Sequence, residues 1–148
     1  MNKVFAVLGL LSGLCFGACT EDEDPLYYMY ATVDGEKMEW KGAQAEVESA
    51  DSLHTMYVYA GSSNEKLLSL RIGYFEGENT YPMLGFFSWT EGFYVNKDRI
   101  GLSHSGEIIV TSYDGIIIEG TFEMTMDAGN EEPDIEITDG RFRAQVLI

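Results

Sequence analysis

Apolar and polar residues alternate with a period of two along most of this chain. Over residues 118–126, Ile118, Gly120, Phe122, Met124 and Met126 fall on one side, with Glu119, Thr121, Glu123 and Thr125 on the other. Strict alternation of this length predicts a strand with one dry face and one wet face. The last segment repeats the pattern. Phe142, Ala144, Val146 and Ile148 are predicted inward, and Arg141, Arg143 and Gln145 outward. Leu68, Leu70, Ile72 and Tyr74 define a third inner face, and Met56, Val58 and Ala60 a fourth. Residues 28–33 are rich in the aromatic and β-branched types that suit a pleated surface. No stretch carries a long helical stripe.

Turn dipeptides separate these runs. Asp34-Gly35 divides residues 28–33 from 37–40, and Asp114-Gly115 divides 108–113 from 116–126. Asp-Gly between two alternating runs is a strong hairpin signal. Asp139-Gly140 stands between 135–138 and 141–148, where either a turn or a bulge fits. Residues 61–65 and 128–133 read as polar loops. The pattern predicts an all-β protein: a single antiparallel β-sandwich or barrel-like domain of about eight strands. Alternation with one wet face argues against a parallel sheet.

The N-terminus follows a different rule. Lys3 is its only early charge, an apolar run follows to Leu14, and Gly17-Ala18-Cys19 leads into Thr20-Glu21-Asp22-Glu23-Asp24. The run is too short to span a bilayer, which takes about 20 apolar residues. It has the length and small-residue end of a secretory signal. Gly17-Ala18-Cys19 resembles the lipobox of bacterial lipoproteins, in which the cysteine is lipidated and becomes the new N-terminus; Phe16 departs from the usual aliphatic there. The acidic run resembles the signal by which Bacteroidetes lipoproteins reach the outer face of the cell. The expected organisation is a signal peptide over 1–18, a lipidated acidic tether over 19–25, and an all-β domain over 26–148. The expected location is the outer membrane, lipid-anchored at Cys19 and surface-exposed.

Charge and cysteine content sharpen this picture. The chain has 25 Asp and Glu against 9 Lys and Arg, a formal charge of −16, and loss of Lys3 with the signal would make it −17. Phosphate backbones and anionic headgroups repel such a surface, so nucleic acid is excluded as a partner and membrane attachment falls to the lipid. Cys15 and Cys19 are the only cysteines. Cleavage removes one and lipidation uses the other, leaving a domain with no disulfide and no thiolate metal site.

Three further pieces carry a family resemblance: Ala31-Thr32-Val33-Asp34-Gly35-Glu36 with Trp40 shortly after; Ile118-Glu119-Gly120-Thr121-Phe122; and Ile135-Glu136-Ile137-Thr138-Asp139-Gly140-Arg141-Phe142. Together they resemble a group of Bacteroidetes lipoproteins of unknown function that open on A-x-V-D-G and close on G-T-F and I-T-D-G-x-F. Met124 stands where that group often has a second aromatic. The resemblance implies architecture and location and transfers no catalytic residue.

Candidate chemistry is sparse. Ser103, His104 and Asp98 are the types of a hydrolase trio, but the G-x-S-x-G elbow is absent and a polar loop has the same composition. Residues 127–134 concentrate the oxygen ligands calcium favours, without the EF-hand spacing. We therefore expect no catalytic residue, no metal and no cofactor. The most unusual stretch is 81–94, which holds Tyr81, Phe86, Phe87, Trp89, Phe93 and Tyr94. A domain without disulfides needs its rings inside, so these aromatics are expected to fill the core. The alternative makes Trp89, Phe87, Phe93 and Tyr94 a platform for a glycan or small ligand. The expected function is a non-enzymatic, surface-displayed binding or scaffold domain, whose partner is a protein or a glycan.

Overall fold

The computed structural model describes residues 26–50, 52–62, 66–86 and 88–148. The lipobox with Cys19, the acidic tether and Phe87 lie outside the described residues. The described chain is all-β, with ten strands. They are β1 Tyr28–Val33, β2 Glu36–Lys41, β3 Gln44–Ala50, β4 Leu53–Ser62, β5 Lys66–Ile72, β6 Asn79–Met83, β7 Thr90–Asn96, β8 Arg99–Tyr113, β9 Ile117–Asp127 and β10 Ile135–Leu147.

Pairing closes seven of them into a ring. From β10 it passes through β3, β4, β5, β7, β8 and β9 and returns to β10. Every pair in the ring is antiparallel except β10 with β3. Parity demands that exception: directions cannot alternate all the way round a ring with an odd number of strands. The two longest strands also change partner along one edge. β10 pairs with β1 over residues 137–143 and with β3 over 145–147. β8 pairs with β7 over 99–102 and with β6 over 106–110.

The inner faces follow the sequence pattern. Ile118, Phe122, Met124 and Met126 of β9 are buried, as are Phe142, Ala144 and Val146 of β10, Leu68, Leu70 and Ile72 of β5, and Met56, Val58 and Ala60 of β4. Burying a side chain of this size stabilises by about 1.5–3 kcal/mol. Two residues break the pattern. Tyr74 follows the end of β5 with φ 53°, and the left-handed backbone turns its ring out of the barrel. Ile148 lies past the last pair of β10 and is exposed.

The turns account for the Asp-Gly dipeptides. Asp34 (φ 49°) and Gly35 (φ 84°) form the two-residue turn of β1 and β2, the mirror-image turn that matches strand twist. Asp34 also ties this turn to the barrel. Its backbone N–H donates to the Glu136 carbonyl at 2.8 Å, its Oδ1 accepts from the Glu136 N–H at 2.8 Å, and its Oδ2 pairs with Arg99 Nη1 at 2.5 Å. Asp139 (φ 52°) is a bulge inside a continuous β10, since the register shifts there against both β1 and β9. Trp40 is buried with its ring beside Gly61 of β4, so the β1–β2 hairpin folds over the barrel.

Candidate aromatic binding face

β7 decides which rings of the 81–94 stretch reach solvent. Its even positions face inward, where Gly92 and Tyr94 are buried. Tyr94 is 1% exposed; burial raises its hydroxyl above the usual range, and the hydroxyl donates to Met38 Sδ at 3.4 Å. It belongs to the core and is removed from the candidate platform. Trp89, Glu91 and Phe93 project outward on the other parity. Trp89 is 59% exposed and Phe93 39%. The expectation that the whole aromatic segment is core is therefore corrected: Tyr81 and Tyr94 are inside, whereas Phe86, Trp89 and Phe93 are outside. The core is completed instead by methionines and aliphatics of β1, β9 and β10.

Trp89 is held from below. Its carbonyl accepts the Gly73 N–H at 2.8 Å, and a Cβ at Gly73 would collide with the Trp89 Cβ and carbonyl oxygen at 2.7 Å. Only glycine lets the two backbones come this close. The Trp89 ring meets Tyr74 edge to face, with centroids 4.9 Å apart and planes at 74°. An edge-to-face pair covers a face of only one of its two rings, and Trp89 remains 59% exposed. The left-handed residue at Tyr74 thus supplies the second ring, which the period-two pattern placed inside.

Polar groups lie between Trp89 and Phe93. Cross-strand register sets Glu46, Tyr57, Arg71 and Glu91 in one row, and Tyr59, Ser69 and Phe93 in the next. Arg71 Nε meets Glu91 Oε1 at 3.3 Å, and Arg71 Nη2 donates to the Ser88 carbonyl at 2.7 Å, steadying the loop that carries Trp89. The Tyr57 hydroxyl donates to Glu48 at 3.2 Å and that of Tyr59 to Glu46 at 2.6 Å. Desolvation, then the Glu48 charge, raises Tyr57 above its usual range; the hydrogen bond to Glu46 does the same for Tyr59. At about 3.3 Å per residue, Trp89 and Phe93 stand roughly 13 Å apart along the strand. The face can stack flat rings at two points and hydrogen-bond hydroxyls between them.

The hydrolase trio does not assemble. Ser103 is buried, and its Oγ accepts the Gly92 N–H at 2.7 Å on the inner side of β8. His104 turns outward, meets Asp134 through Nε2 at 3.2 Å, and leans on Phe86 with centroids 5.6 Å apart. Asp98 sits in the β7–β8 turn, away from both. Among the described residues no three His, Cys, Asp or Glu side chains converge as a metal-ligand set. In the acidic loop, Asp127 accepts the Gly129 N–H at 2.7 Å and Asp134 is on His104.

A second aromatic ledge lies on β1. Tyr28 and Tyr30 stack with centroids 5.5 Å apart, so each covers a face of the other. Tyr30 and Arg141 border a cleft of about 570 Å³ whose floor carries Glu107 opposite Glu123. Its charges are mixed and its one exposed lining ring, Tyr30, is less exposed than Trp89, which leaves the Trp89 face as the better platform. No protein-family model matches the chain, and no curated protein or solved structure matches it.

Proposed function

We propose that this chain is a non-enzymatic binding domain that captures a glycan on the face formed by Trp89, Tyr74, Arg71, Glu91 and Phe93. The observation that carries the reading is Trp89: a large ring that is 59% exposed, propped by Gly73 and Tyr74, beside a fixed Arg71–Glu91 pair. Exposing a tryptophan in a domain with a complete core has a cost in solubility, and aromatic faces with adjacent hydrogen-bonding groups suit sugar rings. In this reading Cys19 carries the lipid, residues 20–25 are the tether, and the domain stands on the outer surface of the outer membrane. The sequence resemblance to Bacteroidetes surface lipoproteins supports that placement.

The test is Trp89→Ala. We expect unfolding free energy within about 0.5 kcal/mol of the parent, as for a surface substitution, together with loss of binding on a glycan array. The two tryptophans give a second readout, since Trp40 is buried and Trp89 is not. Glycan binding should shift the emission of the exposed one and vanish in the variant. A destabilised variant, or one that still binds, would remove the platform.

A further inference from the structure

We infer that the free edge of β3 binds an extended, positively charged peptide segment of a partner as an added strand. This surface is separate from the Trp89 face and does not depend on it.

The inference starts from where pairing stops. On one edge β3 is paired with β4 over its whole length, from Gln44 to Ala50. On the other it is paired with β10 only as far as Glu46, opposite Leu147. The Ala43 carbonyl accepts the Gln145 N–H on that second edge. Backbone groups alternate sides along a strand, so those of Val47 and Ser49 point to the same edge. Among the described residues no strand pairs with β3 beyond Glu46 there. A sheet edge of this kind is a template for another chain.

Side chains make the edge a groove. Val47 and Ser49 lie on the inner parity of β3, yet Val47 is 38% exposed, because the barrel wall is open beside them. They border a cleft of about 590 Å³ whose apolar wall is Phe75, Tyr113 and Val146. Phe75 and Tyr113 are locked edge to face, with centroids 5.0 Å apart. An incoming strand could place alternate apolar side chains on that wall while its backbone pairs with β3. From Val47 to Ala50 the edge spans roughly 10 Å, room to pair about four residues.

Charge selects the occupant. Among the described residues Glu76 is the one side-chain carboxylate that lines the cleft, His54 also lines it, and no Lys or Arg does. A second copy of this chain, at a formal −16, would bring like charge to like. An extended segment alternating apolar and basic residues satisfies the edge, the wall and the field together.

The experiment uses the purified protein and a capped hexapeptide of alternating valine and lysine. We expect saturable binding, weakened at least tenfold between 50 and 500 mM salt, with amide shifts confined to Val47, Ser49, Ala50 and the residues of the cleft. The same peptide with lysine replaced by glutamate should not bind, nor should one with alternate backbone nitrogens methylated. Ser49→Pro removes an N–H that β4 does not use and should abolish binding while the fold persists. Binding of the methylated or acidic peptide at parental strength, or shifts located elsewhere, would overturn the inference. The methylated peptide keeps the test decisive on the unaltered protein if Ser49→Pro fails to fold.

Discussion

Gly120 faces Phe142 across the β9–β10 ladder, and Gly140 faces Phe122. Each glycine leaves room for the ring opposite, and the two rings stack with centroids 6.3 Å apart. A Cβ at Gly140 would stand 2.5 Å from the Phe122 ring. The paired G-T-F and D-G-x-F motifs therefore have a packing explanation. We expect Phe122→Ala to cost about 3–5 kcal/mol and Gly140→Ala about 1–3 kcal/mol by overpacking. The new Cβ at Gly140 would also stand 2.5 Å from the Phe122 carbonyl oxygen, so the double variant should cost less than the sum only by the share of the clash that the ring contributes. Urea unfolding of the three variants checks this; strict additivity would remove the coupling. Asp114 offers a second test at this scale. Its Oδ1 accepts the N–H groups of Ile117 and Ile116 at 2.7 and 2.8 Å, which lowers its carboxyl below the usual value. Its contribution is then present above the usual carboxylate range and fades as pH falls through the lowered value. NMR titration should find Asp114 ionising at lower pH than free aspartate, with the Ile116 and Ile117 amides following it.

Strands with clean alternation, β9 and the inner face of β10 among them, are legible in the sequence. The period of two is a direct image of one dry face. β8 shows why others are not. The hairpin pattern marks only residues 108–113, whereas the strand begins at Arg99. Ser103, His104, Ser105 and Gly106 are polar or small, and the register shifts between Ser103 and Ser105, so the alternation loses phase. β7 hid its parity differently. Phe93 and Tyr94 are adjacent rings, and sequence alone does not say which one faces the core. Tyr94 does, and Trp89 consequently lies on the outside. At this scale we predict that Asp34→Ala loosens the β1–β2 hairpin. It removes the side-chain contacts to the Glu136 N–H and to Arg99, leaves the backbone bond to the Glu136 carbonyl, and puts alanine in a left-handed conformation, on the order of 2 kcal/mol together. Thermal melts should show the loss, and the Glu136 amide should exchange faster; an unchanged melt would show the hairpin does not need the tie.

For the molecule as a whole, the ring could not be deduced from pattern, because pairing partners far apart in sequence leave no periodic trace. The exposed aromatic face is legible in the sequence only as an excess of rings; the second ring, Tyr74, depends on one backbone dihedral. The proposed anchoring is tested on whole cells. Cys19→Ala should abolish incorporation of a fatty-acid analogue. Neutralising Glu21, Asp22, Glu23 and Asp24 should preserve lipidation and reduce protease shaving of intact cells; equal shaving would make the acids a plain spacer.

The single parallel contact in the ring joins Gln44 to Gln145. Until those two segments meet, the barrel is an open sheet. Joining them means closing about a hundred residues of chain, whose entropy cost must be met before the contact yields anything. High contact order of this kind makes folding slow. A slowly folding open sheet exposes unpaired edges to its neighbours, the usual route to aggregation. The acidic excess then has a role in time as well as in space: repulsion between half-formed copies keeps them apart while each waits for its own ends to meet.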